Sequence, residues 1–278
     1  MTERSIKKRR RPLRVLLPII CIAAFIFAAF YNGLTVSRVR IKSEKLQNPV
    51  RAVLLTDLHS CLFGENQREL IKKIEAENLD IILLSGDIID DVLPTTGSEQ
   101  LFAQIGRQYP CYYVTGNHEF RSEGVGQLKD VVRNAGIIVL EGGSESVTIN
   151  GKTLNICGVD DPVIGRNAFA AQLESAFIGI DPENYTILLS HRPERFEEYA
   201  EYRCDLVVSG HAHGGQFRLP FLGGLYAPNQ GWFPKLTSGV HELNGTSMVI
   251  SRGLSRESTG LPRIFNPPEI VVIDLIPE

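Results

Sequence analysis

The stretch 206-LVVSGHAHGGQF-217 begins as a short apolar run and ends in a histidine pair followed by two glycines. Leu206, Val207 and Val208 have the bounded, β-branched character of a buried strand. His211 and His213, one residue apart just past that strand, can converge on one small object from a loop. An exposed loop would carry such a pair by accident, so the rest of the chain has to decide between the two readings.

The same arrangement recurs four times. Apolar runs at 50-VRAVLLTD-57, 81-IILLSGD-87, 112-YYVTGNHE-119 and 186-TILLSH-191 each stop at polar residues. Between the first two, Leu70, Ile71, Ile74 and Leu79 repeat at helical spacing, and 98-SEQLFAQIGRQ-108 supplies the next helix. Strands alternating with helices over short connections predict a parallel sheet with right-handed crossovers. The middle of the chain is richer in strands, and Asn150-Gly151 between two of them predicts a tight hairpin. Runs at 246-TSMVISRG-253 and 267-PPEIVVIDLI-276 add two strands near the end. One α/β domain over residues 49–278 is expected.

Ligand sites of open α/β sheets lie outside the carboxyl ends of the strands. Asp57 and His59 follow the first strand, Asp87 and Asp90 the second, and Asn117, His118 and Glu119 the third. His191 ends a later strand, and His211 and His213 end the next, so five of the six histidines stand at strand ends. That concentration decides the opening question in favour of metal. Imidazole and carboxylate without thiolate suit Mn²⁺, Fe or Zn²⁺. Two such ions ~3.5–4 Å apart, bridged by a carboxylate, clamp the attacking and leaving oxygens of a phosphoryl ester. Glycines before Asp87, Asn117 and His211 let the backbone turn sharply there.

Charge is unevenly spread. The first 40 residues hold nine Lys or Arg and one acid, leaving 20 basic and 31 acidic residues in 41–278. A body that acidic is a poor grip for a nucleic-acid backbone, and no nucleic-acid partner is expected. Residues 1–14 are basic, and no charge occurs from Val15 to Ser37. As a helix those 23 residues would reach about 35 Å, enough for a ~30 Å hydrocarbon core. A transmembrane anchor over 15–37 is therefore expected, with a cleaved or twin-arginine export signal as the alternatives. The basic flank predicts a cytoplasmic N-terminus and an extracytoplasmic catalytic domain at the cell membrane. Residues 38–48 read as a linker. The five cysteines have no framework or metal spacing, and Cys111 and Cys157 read as core.

The ordered set Asp57-Leu-His59, Gly86-Asp87, Gly116-Asn117-His118-Glu119, His191 and Gly210-His211-Ala-His213 resembles the signature of the calcineurin-like metallophosphoesterases. From residue 210 on, 210-GHAHGGQFRLPFLGGLYAPNQGWFPKL-236 resembles the membrane-associated branch typified by the bacterial YkuE and YaeI phosphoesterases. The resemblance implies a four-layer α/β/β/α sandwich. It implies two divalent ions, one held by Asp57, His59, Asp87 and His213, the other by Asp87, Asn117, His191 and His211. A metal-bound hydroxide would attack phosphorus in line. His118 would assist the leaving oxygen, oriented by Asp90. The protein serine/threonine phosphatase branch has an arginine after the residue matching Asp90; here that place is Asp91, which speaks against a protein phosphatase.

These readings predict a membrane-anchored phosphoesterase acting on a phosphodiester or pyrophosphate of a lipid or cell-envelope substrate, with manganese as the foremost metal. A non-catalytic metal-binding scaffold of the same fold is the alternative. Asp90 is also a good helix N-cap, and Glu119 reads as a supporting or surface acid. His241 falls outside every motif. Arg252 reads as a salt-bridge partner. Tyr226, Trp232 and Phe233 wall the cleft, meet a membrane surface or simply pack a long loop.

Overall fold

A computed structural model describes residues 11–256 and 262–278. Helix α1 (Arg11–Ala29) precedes strands β1 (Thr35–Ser43) and β2 (Val50–Leu55). Then α2 (Arg68–Glu75), β3 (Ile81–Ser85), α3 (Thr96–Ile105) and β4 (Cys111–Val114) alternate. Next come α4 (Asn117–Arg121), α5 (Val125–Asn134) and the short β5 (Ile138–Val139). The hairpin of β6 (Gly143–Ile149) and β7 (Lys152–Gly158) leads into α6 (Arg166–Ser175), β8 (Tyr185–Leu189), α7 (Phe196–Ala200) and β9 (Leu206–Ser209). Two small hairpins follow, β10 (Arg218–Leu219) with β11 (Gly223–Gly224) and β12 (Tyr226–Ala227) with β13 (Gly231–Trp232). Strands β14 (Gly239–Leu243), β15 (Thr246–Ile250) and β16 (Glu269–Pro277) complete the chain.

The larger strands form two six-stranded sheets, in the orders β1-β16-β2-β3-β4-β5 and β14-β15-β9-β8-β7-β6. Strands β2 to β5 run parallel, as the alternation with helices predicts. So do β7, β8, β9 and β15 in the second sheet. The β6–β7 hairpin turns at Asn150 (φ 51°) and Gly151 (φ 79°), the paired left-handed conformation that matches strand twist.

Strand periodicity divides the core into layers. Ile81 and Leu83 of β3 face Leu154, Ile187 and Val208 in the space between the sheets. Ile82 and Leu84, on the opposite side of the same strand, pack with Leu70 and Ile74 of α2 and Leu101 and Phe102 of α3. Across the sandwich, Leu188 and Val207 pack outward on Phe169 and Leu173 of α6 and Tyr199 of α7. The layers therefore run helix, sheet, sheet, helix. Strands β3, β4, β8 and β9 are buried along their whole length, which is why they read as unbroken apolar runs.

Residues 15–48 depart from the expectation. The apolar run 15–37 is not one helix: α1 ends at Ala29, and β1 starts at Thr35. Strand β1 lies parallel to β16 from Thr35↔Glu269 to Ser43↔Pro277, so most of the expected linker 38–48 is an edge strand. Val39 and Ile41 pack into the inter-sheet core while Arg38, between them and the helical layer, pairs with Glu77 at 2.6 Å. Among the described residues, no helix is long and apolar enough to cross a membrane. The basic residues 1–10 lie outside the described residues. In α1, Leu16, Leu17, Ile19, Ile20, Ile22, Phe25, Ile26 and Phe27 are all exposed. Its end is fixed to the domain: Phe265 N donates to Ala29 O at 2.7 Å, and the Phe25 and Phe265 rings meet edge-on at 5.2 Å.

Candidate metal centre

The carboxyl ends of β2, β3 and β4 in one sheet face those of β8 and β9 in the other. Ser85 Oγ, at the end of β3, lies 2.8 Å from Val208 O and 3.1 Å from Ser190 O, joining the sheets at that rim. Leaving the strands, the backbone enters the left-handed region at Asp57 (φ 49°), His59 (48°), Asp87 (52°), His211 (63°) and His213 (45°). Each such residue costs about 1–2 kcal/mol relative to an ordinary conformation. Aspartate and histidine tolerate that region better than most residues, and here it turns their short side chains back into the space between the sheets.

Four donor groups result among the described residues, each with its ligand atoms within 4.8 Å of one another: Asp57, His59 and His213; His59, Asp87 and His118; Asp87, His191 and His211; and, to one side, Asp90, Asp91 and His118. His213 Nε2 lies 3.5 Å from Asp57 Oδ1, His191 Nε2 3.0 Å from Asp87 Oδ2, and His59 Nε2 3.8 Å from the same Asp87 oxygen. Asn117 opens α4 beside them. All seven predicted ligands are buried and gathered at one place.

Their hydrogen bonding fits divalent metal. Among the described residues, both ring nitrogens of His59, His191 Nε2, Asp87 Oδ2 and Asn117 Oδ1 are buried without a hydrogen-bond partner. Unpaired buried polar atoms cost about 1–3 kcal/mol each, so a cluster of them aimed inward demands an occupant. The outward atoms, by contrast, are satisfied. His191 Nδ1 meets Ser85 O at 2.8 Å, His213 Nδ1 meets Ser255 Oγ at 3.2 Å, and His211 Nε2 meets Asn229 Oδ1 at 2.9 Å. Partners on the far nitrogen orient a ligating imidazole.

The loops themselves are braced. Glu119, fully buried, accepts from the backbone N–H groups of Gly116, Ile89 and Asp87 at 2.8, 3.0 and 3.1 Å. It is a support rather than a surface acid. His211 N donates to Asp57 Oδ1 at 3.1 Å, and His118 N to Asp87 Oδ1 at 2.8 Å. Contact is so close that a Cβ on Gly210 would stand 2.3 Å from Asp57 Oδ2, and one on Gly116 2.3 Å from Asp87 Oδ1.

Charges are strongly coupled here. Burial raises the Asp57 carboxyl above its usual range. Burial also acts on Asp87, but the neighbouring His191 and His59 hold it well below. His191, opposed by its burial, is raised to about 10 by Asp87 and Asp57. Burial and the positive charges of His191 and Arg192 lower His211 to about 3, so it offers a neutral ring.

The expected pair gains a second carboxylate. His118 Nδ1 is 2.5 Å from Asp91 Oδ1, while Asp90 Oδ1 stands 3.3 Å from it and 3.5 Å from His59 Nδ1. Asp91 makes the short hydrogen bond, and Asp90 lies within ion-pair distance of both rings. Burial works against the imidazolium, but Asp90, Asp87 and Asp91 together raise His118 to about 9.

These groups open into a cleft of about 260 Å³ that also receives Arg121, Arg192, Gln216 and Asn229. Sequence reasoning missed all four. Arg192 follows His191 directly and makes a bidentate pair with Asp161, Nη2 to Oδ1 at 3.0 Å and Nε to Oδ2 at 2.5 Å. Its Nη1 reaches Asn229 Oδ1 at 2.6 Å. Asp161 stands beyond the carboxyl end of β7, so the strand-end rule that found the histidines could have found it. Pro228 and Asn229 wall the cleft, while Trp232 and Phe233 of the same loop point into solvent. His241 lies apart, against Ser238 O, and Arg252 pairs with Glu269.

The calcineurin-like phosphoesterase model matches residues 50–215, the span that holds every one of these strand-end groups. The chain belongs to that family. A metallophosphoesterase of Aquifex aeolicus is 33% identical over 87% of this chain and 92% of its own length. One from Helicobacter pylori strain J99 is 28% identical over 97% of this chain and 73% of its own. The metallophosphoesterase YkuE of Bacillus subtilis is 28% identical over 76% of this chain and 73% of its own. This phosphoesterase is a metal-dependent hydrolase of phosphoric esters.

Proposed function

We propose that this phosphoesterase hydrolyses a phosphodiester or pyrophosphate bond of a lipid or envelope substrate, using two divalent ions, while attached to a membrane by α1. What carries the reading is the convergence of buried, unpartnered donor atoms from both sheets on one cleft. Asp57, His59 and His213 would hold one ion, Asn117, His191 and His211 the other, with Asp87 shared between them. Bound divalent ions supply Lewis acidity toward the phosphoryl oxygens and a water of lowered pKa. The donor set favours manganese, with iron or zinc as its competitors.

The chain's own groups divide the remaining work. Asp91 accepts a hydrogen bond from His118 Nδ1 and leaves Nε2 facing the cleft, placed to protonate a leaving oxygen. Arg121 Nη1 lies 3.2 Å from that Nε2. A phosphate oxygen placed between the guanidinium and the imidazole would accept a hydrogen bond from each. Arg121 thus stands in for the arginine that Asp91 displaces, with Arg192 on the opposite wall. Attachment by α1 rests on the exposed apolar surface of that helix, and the basic run Lys7–Arg10 before it suits anionic lipid headgroups.

The test uses the full chain, stripped of metal and reloaded with Mn²⁺. Rates on bis-p-nitrophenyl phosphate and p-nitrophenyl phosphate are compared, with Asp87→Asn as control. Manganese-dependent cleavage favouring the diester is expected, with two ions per chain and none of that activity in the control. A preference for the monoester, or one ion per chain at full activity, would refute the reading.

A further inference from the structure

The β10–β11 hairpin carries an apolar tip that no other described residue covers. Leu219 is 40% exposed, Leu222 69% and Phe221 106%. Phe221 also has φ 71°, a left-handed conformation that a bulky aromatic adopts only under constraint. A strained loop that presents phenylalanine and leucine fully to water is a standing penalty unless the tip meets an apolar phase.

The hairpin is rigidly tied to α1 and to the metal loop. Phe217 bridges Ile264, and Arg218 N donates to Ile264 O at 2.9 Å. The next residue, Phe265, holds the end of α1 through Ala29 O and the Phe25 ring. Asn266 then donates from Nδ2 to His213 O at 2.7 Å and Gln216 O at 3.0 Å. Three consecutive residues therefore fasten the helix end, the hairpin and the rim of the cleft to one another. Arg218 Nη1 adds a bond to Gly214 O at 2.7 Å, one residue past His213.

We infer that the Pro220–Leu222 tip is a second lipid contact, which with α1 holds the mouth of the cleft against a bilayer surface. The inference rests on the proposed attachment by α1 and extends it to the catalytic domain. A bilayer, rather than a protein, is the partner because the exposed apolar side chains of α1 point to every side of the helix, Leu16, Leu17, Ile22 and Phe25 in four directions. A helix apolar all round calls for hydrocarbon on every face. Basic residues 7–10 precede it, suited to lipid phosphates. A cleft held at that surface takes its phosphoester from the headgroup of an amphiphile lying in the bilayer.

The experiment reads depth directly. Trp232 is the single tryptophan, and it is exposed, so Trp232→Phe clears the background. In that background, the full chain carrying Phe27→Trp, Phe221→Trp, Leu222→Trp or Ile138→Trp is reconstituted into vesicles of phosphatidylethanolamine and phosphatidylglycerol, with and without brominated acyl chains. Ile138 lies on β5, at the far edge of the first sheet from β1. Blue-shifted emission, largely quenched by bromolipid, is expected for F27W, F221W and L222W, with I138W unquenched. Quenching of F27W without F221W and L222W would overturn the hairpin contact and leave attachment by α1 standing. Loss of quenching at all four positions would overturn both. Equal quenching of I138W would show a domain embedded without orientation, and would sink the inference as well.

Discussion

Asp90 and Asp91 share a loop and both approach His118. Asp90 lies buried between the rings of His59 and His118, while Asp91 hydrogen-bonds His118 from the cleft side. If His118 delivers a proton, His118→Ala lowers kcat by about 10²–10⁴-fold while metal content by elemental analysis stays at the wild-type value. Linkage gives a second check. The folded His118 pKa, about 9, lies above its ordinary 6.5, so its charge stabilises the fold fully below pH 6.5 and that stabilisation is lost as pH rises through 9. In chelator, the melting-temperature gap between wild type and His118→Ala should be widest below pH 6.5 and shrink by pH 10; a gap that widens with pH would contradict the ion pairing. Gly210 works by absence. Gly210→Ala would drive a methyl group into Asp57 Oδ2, and about 1–3 kcal/mol of lost stability together with reduced metal content is expected from denaturant melts and metal analysis. Five of the six histidines were legible because they stand just past the carboxyl ends of apolar runs. Arg121 and Arg192 were not, because an arginine on a helix or after a strand has an ordinary surface explanation until the second sheet brings the cleft to it.

At the scale of elements, β1 is the instructive case. Charge-free residues up to Ser37 look like a continuation of the apolar helix, so the boundary between membrane segment and strand was drawn too late. The signal that competes with that reading is the alternation Val39, Arg40, Ile41, Lys42, with Ile41 buried in the inter-sheet core. A chain beginning at Thr35 retains all of β1, whereas one beginning at Glu44 bares the edge of β16 along nine register positions. An unpaired, mostly apolar edge invites association between copies. Losing the Ile41 contact alone is of the order of 2 kcal/mol, so the shorter chain should melt at least about 4 °C lower and aggregate on standing. Differential scanning calorimetry and light scattering on the two chains decide it; equal melting would show β1 to be ornamental. Most of the longer strands, β1 and β14 apart, and the β6–β7 turn were readable from runs and turn residues. Their partners were not, since nothing local tells the last strand to insert between the first two.

That insertion and the facing of two sheets are properties of the whole molecule, and the metal centre depends on both. Asp57, His59, Asp87 and Asn117 descend from the first sheet, and His191, His211 and His213 from the second. Each donor group that includes Asp57 or Asp87 crosses from one sheet to the other or touches a group that does. Ions held there would tie the sheets at their carboxyl rim, where the Ser85, His191 and Asp57 side chains already bridge them, and would relieve the close approach of buried carboxylates. A ligand bound only by the folded state at about 1,000 times its Kd stabilises by about 4.1 kcal/mol, or some 8–16 °C in a chain of this size. Chelation should therefore lower the melting temperature by about that amount, and Mn²⁺ should restore it. Asp87→Asn, which removes the shared carboxylate, should abolish most of the restoration, whereas His118→Ala should keep it. If chelation removed activity yet left the unfolding transition where it was, the folded chain would hold the metal no better than the unfolded one, and a centre built by the two facing sheets would be refuted.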